Sequence, residues 1–303
     1  MPRITFLTAL EGNRQRLDGG AMFGNAPRDM WKSWAAPDDR NRIDLACRSL
    51  LVRTDDGRTL LFEAGIGAFF DPKMQDRYGV NPAHHALLEN LGRAGIREEE
   101  IDGVILSHLH FDHAGGLLSA YGDGEPRLLF PKARYYVAES QWKRACQPHL
   151  RDRASFVPLL NELLERSGRV LIVPASGASD LAPLVTFTLS DGHTPGMLIS
   201  WIAAPNGPVV FAADLMPGAV WVNAAVSMGY DRHPELLIDE KQAVLAELAR
   251  RGGYLFFTHD PQMPFARVRA DAKGRVAAIP ACAGEVMEPA EEAFMPEGSA
   301  RTA

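Results

Sequence analysis

The stretch that most constrains this chain runs from residue 105 to residue 116 and reads ILSHLHFDHAGG. Three histidines and an aspartate lie there within six positions: His108, His110, Asp112 and His113. Imidazole and carboxylate groups are typical ligands of Zn²⁺, Fe²⁺ and Mn²⁺. In an extended segment His108 and His110 point the same way, because side chains alternate with period two. A turn after Phe111 directs Asp112 and His113 to a different point, so the spacing favours two neighbouring metals over one.

The apolar run from Ile101 to Leu106 predicts a buried strand that leads directly into this cluster. Further strands are predicted over residues 4–10, 49–54, 58–62, 133–137, 170–173, 185–189, 198–203, 209–212 and 254–257. Helices are predicted over residues 85–94, 139–145 and 154–166, and from a capping box at Asp239 and Gln242 to Gly252. This order of elements predicts one layered α/β domain over residues 1–287, followed by a frayed tail over residues 288–303.

Three later residues share the placement of the cluster, since each follows a predicted strand. His193 lies in the sequence DGHTPG, Asp214 follows the apolar run 209–213, and His259 follows the aromatic run 254–257. Two metals need more than four ligands, so these three are the best further candidates. The remaining histidines lack this placement and are interpreted as solvated or capping residues: His84, His85, His149 and His233.

Composition excludes some classes of partner. The net charge is −6, with both signs interspersed, and no basic stripe suits a nucleic-acid backbone. No apolar run approaches the roughly 18 residues of a membrane span. The apolar start at Ile4 to Leu10 is too short for a signal peptide, so a cytoplasmic location is expected. The apolar segment from Ala21 to Trp34 is the candidate surface for a homodimer.

Taken in order, the HxHxDH motif at 108–113, the GHTPG motif at 192–196, Asp214 and His259 resemble the motif set of the metallo-β-lactamase superfamily. The resemblance implies a four-layer αββα sandwich with mixed sheets and a metal site at one edge. It implies that His108, His110 and His193 hold a first metal, that Asp112, His113 and His259 hold a second, and that Asp214 bridges them. The implied cofactors are two divalent ions, Zn²⁺ first, with Fe²⁺, Mn²⁺ or Co²⁺ also compatible. Two such ions roughly 4 Å apart polarise a small-molecule substrate and hold a bridging hydroxide as the nucleophile.

Within the superfamily, the chain is most similar to the quorum-quenching lactonases that open N-acyl homoserine lactones. The similarity lies in Leu17 to Gly24, in Trp221 to Tyr230 and in the sequence FFTHDP at 256–261. The β-lactamases themselves lack a bridging aspartate. The resemblance therefore implies a lactonase in which Asp112 and Asp214 are catalytic. Apolar candidates for the wall of an acyl pocket are Met22, Phe23, Phe69, Phe70 and Trp221.

The sequence departs from the lactonase pattern at two positions. Pro217 stands where the best-known lactonases have a tyrosine that assists ring opening, so Tyr230 is the candidate proton donor in its place. Glu63 stands where many members have an aspartate, and it remains a candidate acceptor for a ligating histidine. The alternatives are a hydrolase of another ester, thioester or organophosphate and, in a different class, a diiron redox protein.

Overall fold

The computed structural model describes residues 2–270 and 276–287. The strands over these residues are β1 Ile4–Leu10, β2 Gln15–Asp18, β3 Arg42–Leu45, β4 Ser49–Thr54, β5 Thr59–Phe62, β6 Gly103–Ile105, β7 Arg134–Ala138, β8 Val170–Val173, β9 Val185–Ser190, β10 Met197–Ile202, β11 Val209–Phe211, β12 Tyr254–Phe256, β13 Phe265–Ala270 and β14 Val276–Ala281. The helices are α1 Gly19–Phe23, α2 Arg28–Trp31, α3 Pro72–Tyr78, α4 Ala86–Arg93, α5 Phe111–Ala114, α6 Glu139–Cys146, α7 Pro158–Ser167, α8 Pro234–Arg251 and α9 Ala283–Met287.

The strands form two six-stranded mixed sheets and a two-stranded ribbon. The first sheet has the order β1-β4-β5-β6-β7-β8, with β5 to β8 parallel to one another. The second sheet has the order β14-β13-β12-β11-β10-β9, and its one parallel pair is β11 with β12. Strands β2 and β3 form the antiparallel ribbon.

Side-chain alternation along the first sheet shows why it lies between two layers. In β4, Leu50 and Val52 face the second sheet, whereas Leu51 faces the helices. The helix-facing residues pack against Leu87 and Leu91 of α4 and against helices α6 and α7. Helix α8 supplies the fourth layer, since its apolar residues join the core of the second sheet. The four-layer αββα arrangement expected from the resemblance is thereby confirmed.

Most of the predicted strands and helices form within one or two residues of the expected bounds. Helix α7 begins at Pro158, four residues after the expected start at residue 154, because proline favours the first helical position. Helix α8 also corrects the prediction. It begins at Pro234, five residues before the expected start at Asp239. Proline suits the first helical position because its missing N–H has no partner there and its φ is already helical. The helix ends where expected, at Gly252 in the left-handed region with φ +69°. The expected tail at residues 288–303 lies outside the described residues.

The ends of several strands meet at one edge of the sandwich. There the segment after β3 joins the segment after β12, because Ala46 N donates to His259 O at 3.1 Å and Arg48 N donates to Thr258 O at 3.0 Å. These bonds connect loops from the ribbon and the second sheet beside the end of β6. In the described part of the chain, no helix is both long enough and apolar enough to cross a membrane.

Candidate metal centre

The structure brings all seven predicted ligands together at this edge. The first four follow β6 and enter the short helix α5, whereas His193 lies between β9 and β10. Asp214 lies in a one-turn 3₁₀ helix after β11, and His259 follows β12. All seven are buried, with at most 7% of each residue exposed. Burying so many polar groups costs free energy unless each one has a partner.

Three of these residues form a first triad, defined as His108, His110 and His193. Their ring nitrogens converge, with His108 Nε2 at 3.1 Å and His193 Nε2 at 3.3 Å from His110 Nδ1. Nitrogens bound about 2.0–2.1 Å from a tetrahedral Zn²⁺ are roughly 3.3 Å apart, so this spacing fits a shared ion.

A second triad consists of Asp112, His113 and His259. Here His113 Nε2 and His259 Nε2 are 3.1 Å apart. Asp112 Oδ1 lies 3.8 Å from His113 Nε2, and Asp112 Oδ2 lies 3.5 Å from His259 Nε2. One carboxylate and two imidazoles therefore surround one point, as they do in many metal sites.

Asp214 lies between the two triads. Its Oδ2 is 3.2 Å from His193 Nε2 of the first triad. Its Oδ1 is 3.3 Å from both His113 Nε2 and His259 Nε2 of the second. The preceding Ala213 has φ +44°, an unusual conformation for a residue with a side chain. Each oxygen of one carboxylate thus faces a different triad, which is the geometry a bridging ligand requires.

Glu63, at the end of β5, lies behind both triads. Glu63 Oε2 contacts His113 Nδ1 at 2.9 Å, and Glu63 Oε1 accepts a short hydrogen bond from Ser107 Oγ. Ser107 Oγ in turn lies 2.9 Å from His108 Nδ1. Glu63 therefore supports His113 directly and His108 through Ser107, the role that the sequence predicted for it. Sequence reasoning missed Ser107, although it directly precedes His108.

The Nδ1 atoms of His193 and His259 have their partners in loops. His193 Nδ1 lies 2.8 Å from Asp231 Oδ1, and His259 Nδ1 lies 2.6 Å from the backbone oxygen of Ala46. Asp231 also accepts from Met228 N at 2.6 Å. The buried Lys241 of α8 holds the same loop, because its Nζ donates to Val226 O at 2.5 Å. Asp231 directly follows the lactonase-like stretch 221–230, and this position was the only signal for it in the sequence.

These contacts determine which nitrogens carry protons. Four histidines have an acceptor at Nδ1, so each Nδ1 carries the proton and each Nε2 presents a lone pair to the site: His108, His113, His193 and His259. Lone pairs that face each other at 3.1 Å repel unless a proton or a cation lies between them. The donor set therefore fits two divalent ions, with His110 contributing Nδ1.

Gln15 of the ribbon is a further contact that sequence reasoning missed. Its Nε2 donates to Asp112 Oδ2 at 2.6 Å, and the residue is buried. A lone glutamine among charged residues carries no signal of such a role. It fixes the carboxylate of Asp112 in one orientation.

Charge within the cluster shifts the pKa of its members in both directions. Burial, with the neighbouring histidines, holds the pKa of His108 and of His110 well below its ordinary value. Burial also lowers the pKa of His113, but Glu63, Asp214 and Asp112 outweigh it and hold that pKa well above the ordinary value. Burial raises the pKa of Asp214, and the facing imidazoles of His113 and His193 reverse this effect and keep the pKa well below the ordinary range. Protons therefore compete with metal ions for the second triad.

A cavity of about 420 Å³ opens over the two triads. Of the predicted pocket residues, Met22 and the proposed donor Tyr230 line it. Phe23, Phe69 and Trp221 are not among its lining residues, and neither is Phe70. Phe23 is fully buried and stacks on Trp221 at 4.8 Å between ring centroids, so both rings belong to a core cluster behind the wall.

Phe69 packs instead against the glycine pair that ends the histidine motif. A Cβ atom at Gly115 would lie 2.4 Å from the Phe69 ring, and one at Gly116 would lie 2.0 Å from Ala64 O. The two glycines are therefore needed for close packing against residues 64–69.

The other histidines do not join either triad. His85 caps α4, with Nδ1 accepting from Leu88 N at 3.4 Å, and its Nε2 contacts Gly116 O at 2.9 Å. His84 is exposed and pairs with Glu89. His149 accepts from Arg151 N at 3.1 Å.

Comparisons with known proteins agree with this geometry. The family model described as the metallo-beta-lactamase superfamily matches residues 42–259. Probable metallo-hydrolases of Mycobacterium bovis and Mycobacterium tuberculosis are 30% identical over 121 residues, which is 38% of this chain and only 36% of each relative. A probable metal-dependent hydrolase from Staphylococcus aureus superposes with a TM-score of 0.81 at 24% identity, covering 91% of this chain and 96% of that one. The dizinc quorum-quenching lactonase AidC superposes with a TM-score of 0.71 at 20% identity, covering 92% and 97%.

Proposed function

Since the chain belongs to the metallo-beta-lactamase superfamily, we propose that it is a dinuclear metal-dependent hydrolase that opens lactones, with N-acyl homoserine lactones as the first candidates. The observation that carries the dinuclear part is the placement of Asp214, whose two oxygens face different triads at 3.2–3.3 Å. The choice of lactones is supported by the lactonase-like stretches 17–24 and 221–230, which contribute Met22 and Tyr230 to the cavity. It is also supported by the structural similarity to a lactonase that was solved with its product N-hexanoyl-L-homoserine.

The first triad, the second triad and Asp214 would hold the two ions. When bound, divalent ions polarise a carbonyl group and lower the pKa of water to near neutrality. Asp112 lines the cavity, where its carboxylate would accept the proton that the attacking water loses. Gln15 keeps Asp112 in one orientation for this purpose. Asp214, whose pKa the facing imidazoles keep low, would act in catalysis by holding both ions.

Tyr230 is the proposed donor to the leaving oxygen. Although the residue is 40% exposed, desolvation of its hydroxyl, with the nearby Asp112 and Asp18, raises its pKa to about 12. The phenol therefore keeps its proton at neutral pH and can donate a hydrogen bond to an alkoxide, which is more basic still. Tyr230 lines the same cavity as Asp214. It would take the role of the lactonase tyrosine at whose position this chain has Pro217.

The test uses protein stripped by a chelator and reloaded with Zn²⁺, Mn²⁺, Co²⁺ or Fe²⁺. Turnover is measured on N-hexanoyl homoserine lactone, simple lactones, aryl esters, thioesters and phosphotriesters, with metal content determined in parallel. We expect two ions per chain and metal-dependent lactone opening. Asp214→Asn should lower kcat by at least about 100-fold, in line with the loss of one strong electrostatic contact to the reacting centre. His84→Ala, an exposed histidine outside both triads, is the matched control and should keep full activity.

Other results would redirect the assignment. Turnover of esters or phosphotriesters without any lactone would remove the lactonase proposal and keep the hydrolase. Two irons with oxygen consumption and no hydrolysis would favour the diiron redox alternative.

A further inference from the structure

The side chains that line the cavity differ in character and in exposure. The metal-site residues are buried, and so are three apolar side chains of the lining, Met22, Phe111 and Met228, which are between 2% and 8% exposed. Besides Tyr230, the proposed proton donor, three large side chains of the lining are more exposed, and they are called the rim here: Arg77, Tyr78 and Arg151. A substrate whose reacting group lies at the metal site and whose chain contacts the apolar residues would have its far end near these three side chains.

The rim offers hydrogen-bond donors and few acceptors. Within residues 2–270 and 276–287, neither rim arginine has a carboxylate partner, and the phenol oxygen of Tyr78 has no hydrogen-bond partner. The acidic neighbours are already paired: Asp76 lies 3.2 Å from Arg40 Nη1, and Asp152 lies 2.8 Å from Arg144 Nη2. The chain as a whole carries a net charge of −6, so this positive rim is a local feature.

Each guanidinium group of the rim already has one contact with the protein. Arg151 Nη2 donates to Gly229 O at 2.8 Å, beside Tyr230. Arg77 lies over the ring of Tyr78 at 5.6 Å, and that ring packs against Phe111 at 4.7 Å between centroids. Side chains that are already ordered lose less conformational entropy on binding, so their contacts contribute more affinity.

We propose that Arg77 and Arg151 bind a carboxylate at the far end of the substrate, so that the enzyme prefers esters or lactones whose acyl chain ends in an anionic group. The proposal rests on the hydrolase function proposed above. Guanidinium groups match carboxylates in geometry and charge, and the free phenol of Tyr78 offers a further donor. A neutral acyl chain would leave these three side chains without an acceptor at the end of the substrate.

The test compares two substrates of equal length, p-nitrophenyl octanoate and mono-p-nitrophenyl suberate, which differ by a terminal carboxylate. We expect kcat/KM of the zinc-loaded wild type to be at least about tenfold higher for the suberate ester, with the difference mainly in KM. The double variant Arg77→Gln/Arg151→Gln should lose this preference, so that the ratio of kcat/KM for the two esters approaches one. Arg153→Gln, an exposed arginine that does not line the cavity, is the control and should behave as wild type. Salt should reduce the preference in wild type, because it screens exposed charges.

A binding measurement separates failure of this proposal from failure of the hydrolase function. Titration calorimetry of zinc-loaded protein with suberate and with octanoate should show the same preference and its loss in the double variant. Equal preference in wild type and double variant, in kinetics or in calorimetry, would overturn the role of the rim. Absence of metal-dependent turnover of either ester would count against the hydrolase instead, and the calorimetric pair would then decide the rim alone.

Discussion

Replacing Glu63 by glutamine removes one charge from behind both triads while keeping the shape of the side chain. Glu63 is fully buried, and its two oxygens contact His113 Nδ1 at 2.9 Å and Ser107 Oγ. A hydrogen bond to a charged group contributes about 1.5–3 kcal/mol, which corresponds to roughly 10- to 100-fold in an equilibrium constant. Outer contacts of metal-ligating histidines have effects of similar size, about 10- to 100-fold in metal affinity.

We therefore expect Glu63→Gln to weaken metal binding at the second triad by about 10- to 100-fold. Binding at the first triad should weaken less, because Glu63 reaches His108 only through Ser107. Ser107→Ala is the matched variant and should affect the first triad alone. The assay is competition with a chromophoric chelator, which resolves two successive metal affinities. Unfolding curves of the metal-free proteins control for changes in fold.

Two outcomes would refute this reasoning. If Glu63→Gln binds both ions with wild-type affinity, the carboxylate does not orient His113. If Ser107→Ala weakens the binding of both ions equally, the contact of Glu63 with His113 and its contact through Ser107 with His108 do not act separately.

Three further predictions follow from other contacts. Asp231→Ala removes the acceptor at His193 Nδ1 and should weaken the first ion by about 10- to 100-fold, as measured by the same chelator competition; unchanged affinity would contradict the support role. Gln15→Leu frees Asp112 Oδ2 and should weaken the second ion by about tenfold with little change in the first, and the opposite order would exclude the contact as a positioning device. Burial lowers the pKa of Lys241 to about 8, so the unfolded state binds more protons than the folded state between about pH 8 and pH 10.4. The free energy of unfolding of wild type should therefore rise by about 3 kcal/mol across that window relative to Lys241→Met, and denaturant unfolding that shows parallel pH profiles would disprove it.

The ligand set could be predicted from the sequence because each ligand follows a strand, and strand ends meet at a sheet edge. Strands β4 and β5 and the strand before His108, β6, have strong apolar patterns, and they form as expected. The start of α8 was placed too late because Asp239 and Gln242 imitate a helix start inside the helix.

The pocket wall was harder to predict. An aromatic ring suits a core as well as a cavity, and Phe23 and Trp221 stack in the core because they fit each other. Gln15 and Asp231 act through contacts made at sequence separations of 97 and 38 residues, which no local pattern records. Arg77 and Arg151 lack a carboxylate partner because the nearby Asp76 and Asp152 pair with other arginines, which the sequence alone does not show.

Each triad combines residues from both sheets, and this has a consequence for folding. His110 and His193 are 83 residues apart in the chain, and His113 and His259 are 146 residues apart. Closing loops of this length costs conformational entropy, and the loops must close before an ion can bind all of its ligands. Metal capture should therefore come late in folding, after the two sheets have docked. Interactions that form late in folding slow unfolding more than they speed folding. The bound ions would therefore lower the unfolding rate of the sandwich and change its folding rate little.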